Sequence, residues 1–240
     1  MNQPVKFDFE GVVFFGRCIN EYVAMFNLNL DEMRGKQILD CSSGPAAFAV
    51  DAAAKGIQVT ACDPLYVNDV ATLRNIIDDH SAIVYEKQKS AMSLFYPEVV
   101  SVPQRRKAMD RFLKDFVHGK LIGRYVPGVL PNLPFAGNHF DTTLCANLLF
   151  IYSDIESGGM LQNSTLDYDF HARAVKELLR VTKNDVRIYP LQGPQVAEHK
   201  YLPRLIDELR ALGLACEIVP VKQRDIIGAE QMLQISKPIK

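Results

Sequence analysis

Short, nearly continuous apolar runs alternate along the chain with segments whose apolar residues recur at helical spacing. The apolar runs are typical of buried parallel strands: KQILDC (36–41), IQVTACD (57–63), FDTTLCANLLFIY (140–152) and DVRIYPL (185–191). The helical segments are RCINEYVAMFNL (17–28), AFAVDAAAKG (47–56), DFHARAVKELLRVT (169–182) and YLPRLIDELRALG (201–213). This alternation indicates βαβ units and predicts a parallel sheet with helices on both faces.

Two regions depart from the simple alternation. Residues 67–120 contain two or three polar-faced helical segments where one crossover helix would suffice, which predicts a helical insertion. CEIVPV (216–221) and EQMLQISK (230–237) follow one another without a helix-length connection, so they are expected to pair antiparallel at the sheet edge. The prediction is therefore one α/β domain over residues 1–240.

Composition excludes some partners and leaves others open. The 240 residues carry a formal net charge of -1 and a pI of about 6.5, which gives no bulk attraction to nucleic acid or an anionic membrane. The N-terminus does not resemble a signal peptide, and no apolar run approaches the roughly 18 residues of a membrane span. We therefore expect a cytoplasmic protein that acts on a small molecule.

Cysteines and histidines indicate no metal site. The five cysteines form no CxxC pair and mostly lie in strand-like runs, so they are expected to be buried small apolar residues. His80, His118, His139 and His199 are expected to be exposed and unclustered. His171 is expected near a helix start, with Asp169 as a possible N-cap.

The turn after the first strand is the strongest candidate for a binding site. SSGPA (42–46) lies between a strand's carboxyl end and a helix N-terminus, where small residues let a ligand approach the backbone. Asp63 ends the next strand 19 positions after Gly44, which suits a carboxylate that accepts two hydrogen bonds from a ribose. The alternative is a plain βαβ unit in which Asp63 caps the following turn.

Several motifs together resemble class I S-adenosylmethionine (SAM)-dependent methyltransferases. They are ILDCSSGPA (38–46), ACDPLY (61–66), LPFAGNHFDTTLCANLLFIYSD (133–154), FHARAVKELLRV (170–181) and the terminal hairpin. The resemblance spans about residues 10–237 except the insertion. It implies a Rossmann-like, mostly parallel seven-stranded sheet with an antiparallel last strand, SAM as cofactor and methyl transfer as the reaction.

The same resemblance implies roles for individual residues. Asp40 would orient the loop, Asp63 would hold the ribose, and Asn147 and Leu148 would lie under the sulfonium. Other cofactor contacts would come from residues beside the adenine or the methionine part: Arg17, Ser42, Ser43, Gly44, Ala46, Pro64, Leu65 and Leu130. Arg17 could equally be a solvated helix residue, and Asn147 could be a turn residue that ends a strand.

Acceptor contacts are less defined. Tyr66 and Tyr152 lie near predicted strand ends and could face the acceptor, although a structural role explains each almost equally well. The insertion could form a lid, a packed appendage or a dimer interface. No catalytic base is assigned, because methyl transfer needs one only when the acceptor must lose a proton.

Ser42 departs from the family pattern, in which glycine is common. The departure predicts weaker SAM binding and leaves open a non-catalytic SAM- or nucleoside-binding protein. An NAD-dependent oxidoreductase fits less well, because such enzymes usually carry a fuller G-x-G-x-x-G turn and only Gly44 is present here.

Overall fold

A seven-stranded sheet forms the centre of the computed structural model, which describes residues 6–194 and 198–238. The strands are β1 (Gln37–Cys41), β2 (Gln58–Asp63), β3 (Tyr125–Pro127), β4 (Phe140–Ala146), β5 (Thr182–Tyr189), β6 (Ala215–Pro220) and β7 (Gln231–Ser236). The helices are α1 (Ile19–Phe26), α2 (Phe48–Ala53), α3 (Val70–Ser90), α4 (Val102–Leu121), α5 (Tyr168–Val181) and α6 (Leu202–Ala211).

The strand order is β3-β2-β1-β4-β5-β7-β6. All neighbouring pairs from β3 to β5 are parallel, whereas β7 runs antiparallel to both β5 and β6. This arrangement confirms the predicted α/β class, the mostly parallel sheet and the terminal hairpin. The chain leaves β1 toward β2 on one side and returns as β4 on the other, which opens a crevice at the carboxyl ends of these strands.

Helices cover both faces of the sheet because successive strand residues point to opposite sides. Ile38 belongs to the apolar core that contains Tyr22, Phe48 and Phe112, whereas its neighbour Leu39 belongs to the core beneath α5 and α6. The expected N-cap of α5 at Asp169 is wrong, because the Asp167 side chain accepts the hydrogen bond from the Phe170 N–H at 2.8 Å.

The central strands carry three cysteines in register, Cys41, Cys62 and Cys145. All three are buried without a disulfide, and burial raises the pKa of each thiol. Cys216 is also buried, and Cys18 is partly exposed. Over residues 6–194 and 198–238, the structure holds no cluster of three or more metal-ligating side chains.

The predicted insertion consists of α3 and α4, joined by a short 3-10 turn at residues 92–94. The Asp69 carboxylate caps α3 by accepting from the Thr72 N–H at 2.7 Å. Among the helices of the described residues, none combines the length and apolarity that a membrane crossing requires.

A buried guanidinium ties the insertion to the rest of the molecule. Arg105 of α4 is 5% exposed, and its Nε donates to Oε1 of Glu21 in α1 at 2.8 Å. Its Nη2 donates to Oδ2 of Asp225, in the β6–β7 connection, at 2.5 Å. One side chain therefore joins three separate segments. Burial lowers the pKa of the Arg105 guanidinium, but the two carboxylates raise it by more.

The turn after β1 accommodates serine in a conformation that favours glycine. Ser42 has φ 60° and Gly44 has φ 57°, both in the left-handed region. The N–H groups of Ser42 and Ser43 donate to the Cys62 carbonyl oxygen at 2.8 and 3.1 Å. The Ser43 hydroxyl also donates to Oδ2 of Asp40 at 2.6 Å, so the two serines differ in their contribution to stability.

We expect Arg105→Leu to lower the free energy of unfolding by about 3–5 kcal/mol, because it leaves Glu21 and Asp225 buried without a counter-charge. Urea denaturation measures the change. The control is Arg106→Leu on the same helix. Arg106 pairs with the more exposed Asp78 and Asp110, so its loss should cost less than about 1 kcal/mol. Equal effects of the two changes would contradict the anchoring role of Arg105.

We expect Ser42→Gly to raise the free energy of unfolding by about 1 kcal/mol, because it relieves a left-handed non-glycine residue. Ser43→Gly should instead lower it by about 1–2 kcal/mol, because it removes the bond to Asp40. Thermal or urea unfolding of the two variants distinguishes these opposite signs, and destabilisation by both changes would show that Ser42 carries no strain.

Candidate functional site

A cavity of about 410 Å³ lies at the carboxyl ends of β1, β2 and β4, within the usual range of small-molecule sites. Most of the predicted site residues line it. They are Arg17, Ser42, Ser43, Gly44, Asp63, Pro64, Leu65, Leu130, Asn147, Leu148 and Tyr152.

Three predicted residues lie outside the cavity wall. Asp40 and Ala46 are buried beneath the turn. Tyr66 is fully buried against Phe112, and its hydroxyl donates to the Gly44 carbonyl oxygen at 2.6 Å. The expected contact between Tyr66 and an acceptor therefore does not fit its position. Tyr66 supports the glycine turn from behind.

Asp63 caps the turn that follows β2, as one of the two sequence interpretations expected, and it also lines the cavity. Its Oδ1 accepts from the Leu65 N–H at 3.0 Å, which is the turn cap, and its Oδ2 accepts from the Gly44 N–H at 3.0 Å. The residue is 7% exposed and lines the cavity. Burial raises the pKa of Asp63 to about 6, while the two backbone bonds oppose the rise. Each oxygen of the ionised carboxylate keeps a lone pair for a ligand donor.

Asp40 lies one layer behind the cavity wall and holds two residues of that wall. Its Oδ2 accepts from the Tyr22 hydroxyl at 2.9 Å and from the Ser43 hydroxyl at 2.6 Å. Oδ1 has no partner among the described residues. Burial raises the pKa of Asp40 to about 7, against the lowering effect of both hydroxyls. Asp40 therefore positions Tyr22 and Ser43, and its role toward a cofactor stays a prediction.

Arg17 lies just before α1 and is held in place by acids. Its Nε is 3.9 Å from Oε1 of Glu21 and 3.8 Å from Oδ2 of Asp225, and it has no hydrogen-bond partner within the described ranges. The side chain is only 16% exposed and lines the cavity. A freely solvated helix arginine does not fit this environment.

Asn147 ends β4 in a left-handed conformation with φ 53°, which asparagine tolerates better than most residues. Its N–H donates to the Tyr189 carbonyl oxygen at 2.6 Å, and its amide lies 3.6 Å from Sδ of Met25. Asn147 and Leu148 both line the cavity. Asn147 is thus a turn residue and a wall residue at once.

The N-terminal segment, residues 7–15, lies across one side of the cavity, an arrangement that the sequence did not reveal. Phe9 exchanges backbone hydrogen bonds with Met160 and Gln162 at 2.8 and 3.1 Å. Further along, the Phe14 N–H donates to Nδ1 of His80 at 2.7 Å. No motif marks this segment, because its contacts are backbone bonds to residues distant in sequence.

The cavity also has an apolar wall that sequence reasoning missed. It comes from the N-terminal segment, the insertion, the β4–α5 connection and the β6–β7 connection. We call it the apolar lobe: Phe7, Phe9, Val84, Phe95, Ile151, Met160, Leu166, Ile226 and Ala229. The only available sequence signal was the helical periodicity of α3, which places Val84 on a buried face.

The expected exposure of His199 is wrong, whereas His171 lies near a helix start as predicted. His171 and His199 are both fully buried, with ring centroids 5.9 Å apart, beneath the loop that follows β4. Nε2 of His171 accepts from the Phe150 N–H at 3.0 Å, and Nε2 of His199 lies 2.5 Å from the Ser153 hydroxyl. His80 is partly buried, whereas His118 and His139 are exposed as expected. The buried pair supports the loop and does not line the cavity.

Comparisons with known proteins give one relative in sequence and several distantly similar solved structures. No family model matches the chain. An uncharacterized protein from Methanocaldococcus jannaschii is 28% identical over 204 residues, which cover 83% of this chain and 86% of the relative.

Among solved structures, the chain is similar to the magnesium protoporphyrin IX methyltransferase of Synechocystis PCC 6803, a structure with bound SAM. The identity is 9%, the TM-score is 0.43, and the match covers 87% of this chain and 73% of the other. It is also similar to SAM-dependent methyltransferases from Methanosarcina mazei and Aquifex aeolicus. The first has 12% identity, a TM-score of 0.43 and coverage of 85% and 93%. The second has 12% identity, a TM-score of 0.39 and coverage of 90% and 91%.

At these identities and TM-scores the similarities carry no conclusion about the fold, ligand or reaction of this chain. The observed strand order is itself that of the predicted Rossmann-like sheet, and the cavity lies at the point where this order reverses.

Proposed function

We propose that this protein transfers a methyl group from SAM to a small-molecule acceptor. The observation that carries the proposal is the position of Asp63, a buried carboxylate fixed by the Gly44 and Leu65 N–H groups at the wall of the cavity. A cis-diol can donate to the two free lone pairs of such a carboxylate, and charge-assisted bonds of this kind are worth about 1.5–3 kcal/mol each.

The surrounding residues fit the rest of the cofactor. Leu65 and Leu130 offer an apolar wall for the adenine, and Ser42, Ser43 and Gly44 border the space for the methionine part. Arg17 would pair with the cofactor carboxylate through its guanidinium. Asn147 and Leu148 would lie beneath the sulfonium. The weaker binding expected from Ser42 stays a prediction.

When bound, SAM supplies an electrophilic methyl carbon, because the carbon is attached to a positively charged sulfur. The task of the protein is then to orient the acceptor in line with that carbon and to exclude water. The N-terminal segment and the apolar lobe would provide an apolar wall beside the proposed transfer position. We assign no general base, and an acceptor that is already nucleophilic needs none.

Thermal unfolding with SAM, S-adenosylhomocysteine (SAH) or NADH tests the cofactor assignment. Ligand at 100 times its dissociation constant should stabilise the protein by about 2.7 kcal/mol. We expect stabilisation by SAM and SAH only, and its loss in Asp63→Ala. The control is Asp207→Asn, at an exposed position of α6, which should keep the full effect. Stabilisation by NADH instead would indicate an oxidoreductase, and no stabilisation would overturn the proposal.

Affinity for SAH should fall as the pH drops through about 6. The folded protein protonates Asp63 near that pH, and the protonated acid no longer offers both oxygens as acceptors. Titration calorimetry should show constant affinity above about pH 7 and a loss of up to about tenfold per pH unit below the pKa. Asp63→Asn should bind weakly at every pH, whereas Asp40→Asn should keep the fall near pH 6.

A further inference from the structure

Beside the apolar lobe, the cavity wall carries one amide without a hydrogen-bond partner among the described residues. Gln88 follows Val84 by one turn of α3, so both side chains lie on the same helix face. Gln88 is 7% exposed and lines the cavity. Its side chain makes no hydrogen bond to any residue within 6–194 and 198–238. The polar atoms of this amide are not sealed in the core, so a ligand that occupies the cavity can pair with them.

Tyr152 provides a second free donor in the same wall. Its hydroxyl oxygen accepts from the Val13 N–H at 3.3 Å, and its proton is donated to no group in the described part of the chain. Burial raises the pKa of Tyr152 to about 12, so the proton is retained at neutral pH. Tyr152 is 6% exposed and packs with the apolar lobe.

The charges beside the lobe are already compensated. Arg105 is paired with Glu21 and Asp225, and Asp225 also lies within 4 Å of Arg17. Asp63 and Arg17 face the end of the cavity proposed for SAM. The lobe therefore provides apolar contact, one carboxamide and one hydroxyl, without an unpaired charge to hold an ionic acceptor.

We propose that the acceptor is a neutral, mainly apolar ring compound with a lactam- or amide-type edge. A carbonyl beside an N–H would pair with both the donor and the acceptor of the Gln88 carboxamide. The Tyr152 hydroxyl would donate to the same carbonyl or to a second acceptor atom. The proposal rests on the proposed function, because SAM is taken to occupy the polar end of the cavity.

Binding of 2-quinolone, a bicyclic lactam, tests this inference by titration calorimetry with and without saturating SAH. The comparison compounds are naphthalene, which has the ring system alone, and N-methyl-2-quinolone, which has lost the N–H donor. We expect 2-quinolone to bind about tenfold more tightly than either comparison compound. A difference of this size is what one additional hydrogen bond to the Gln88 carboxamide would give.

Two variants test whether Gln88 and Tyr152 cause the tighter binding of 2-quinolone. Gln88→Leu should weaken 2-quinolone about tenfold and leave naphthalene unchanged or tighter. Tyr152→Phe should weaken both quinolones by severalfold and leave naphthalene unchanged. Gln231→Leu, an exposed glutamine at the start of β7, is the matched control and should change none of the affinities.

The outcomes separate this inference from the proposed function. If SAH binds but 2-quinolone binds no better than naphthalene, or Gln88→Leu has no effect, the acceptor class is wrong and the proposed cofactor stands. If SAH fails to bind, the cofactor assignment is wrong, and the titrations without SAH still decide the chemistry of the lobe. Failure of every ring compound to bind in both conditions would also overturn the inference.

Discussion

The ion pairs of Arg105 are the interaction on which the walls of the cavity depend. Three segments that do not follow one another in sequence meet at this guanidinium: α4 of the insertion, α1 and the β6–β7 connection. Arg17 is held near the same two carboxylates, so the charge that stabilises the fold also sets the orientation of a cavity residue. Because all four groups are largely removed from water, the loss of one would leave the others poorly compensated.

The two ends of the cavity differ because they are built from different kinds of structure. The polar end consists of strand ends and tight turns, where backbone N–H groups and Asp63 are fixed by the sheet itself. The apolar lobe consists of an insertion and three connections that pack by side-chain contact. A binding site fixed by the sheet is expected to keep the same ligand among proteins of one fold. A binding site made from loops is expected to take ligands that differ from one such protein to another.

Much of the sheet and of the polar end could be predicted from the sequence because the responsible signals are local. An apolar run, a small-residue turn and an acid at a fixed spacing predicted β1, Gly44 and Asp63 before any contact was known. The expected acceptor contact of Tyr66 does not fit its position, because the sequence does not show whether a side chain beside a strand end points into the core or into the cavity. The single-domain organisation of residues 1–240 stays a prediction.

The remaining site residues could not be predicted because long-range packing determines them. Gln88, Phe9 and Ile226 are far apart in the chain, and nothing local distinguishes Gln88 from a solvated helix glutamine. The burial of His199 was missed for the same reason, since its partner Ser153 lies 46 positions away. In the sequence, Arg105 likewise looks like one residue of a solvated basic helix face, because its partners Glu21 and Asp225 are distant in the chain.

The burial of the cysteines has a chemical consequence. Four of the five thiols lie in apolar surroundings that disfavour the reactive thiolate, and Cys18 alone is partly exposed. Alkylating reagents should therefore modify the folded protein at a single place. Because Cys18 lies between Arg17 and the start of α1, a fluorophore attached there would report on the region beside the cavity without removal of any native cysteine.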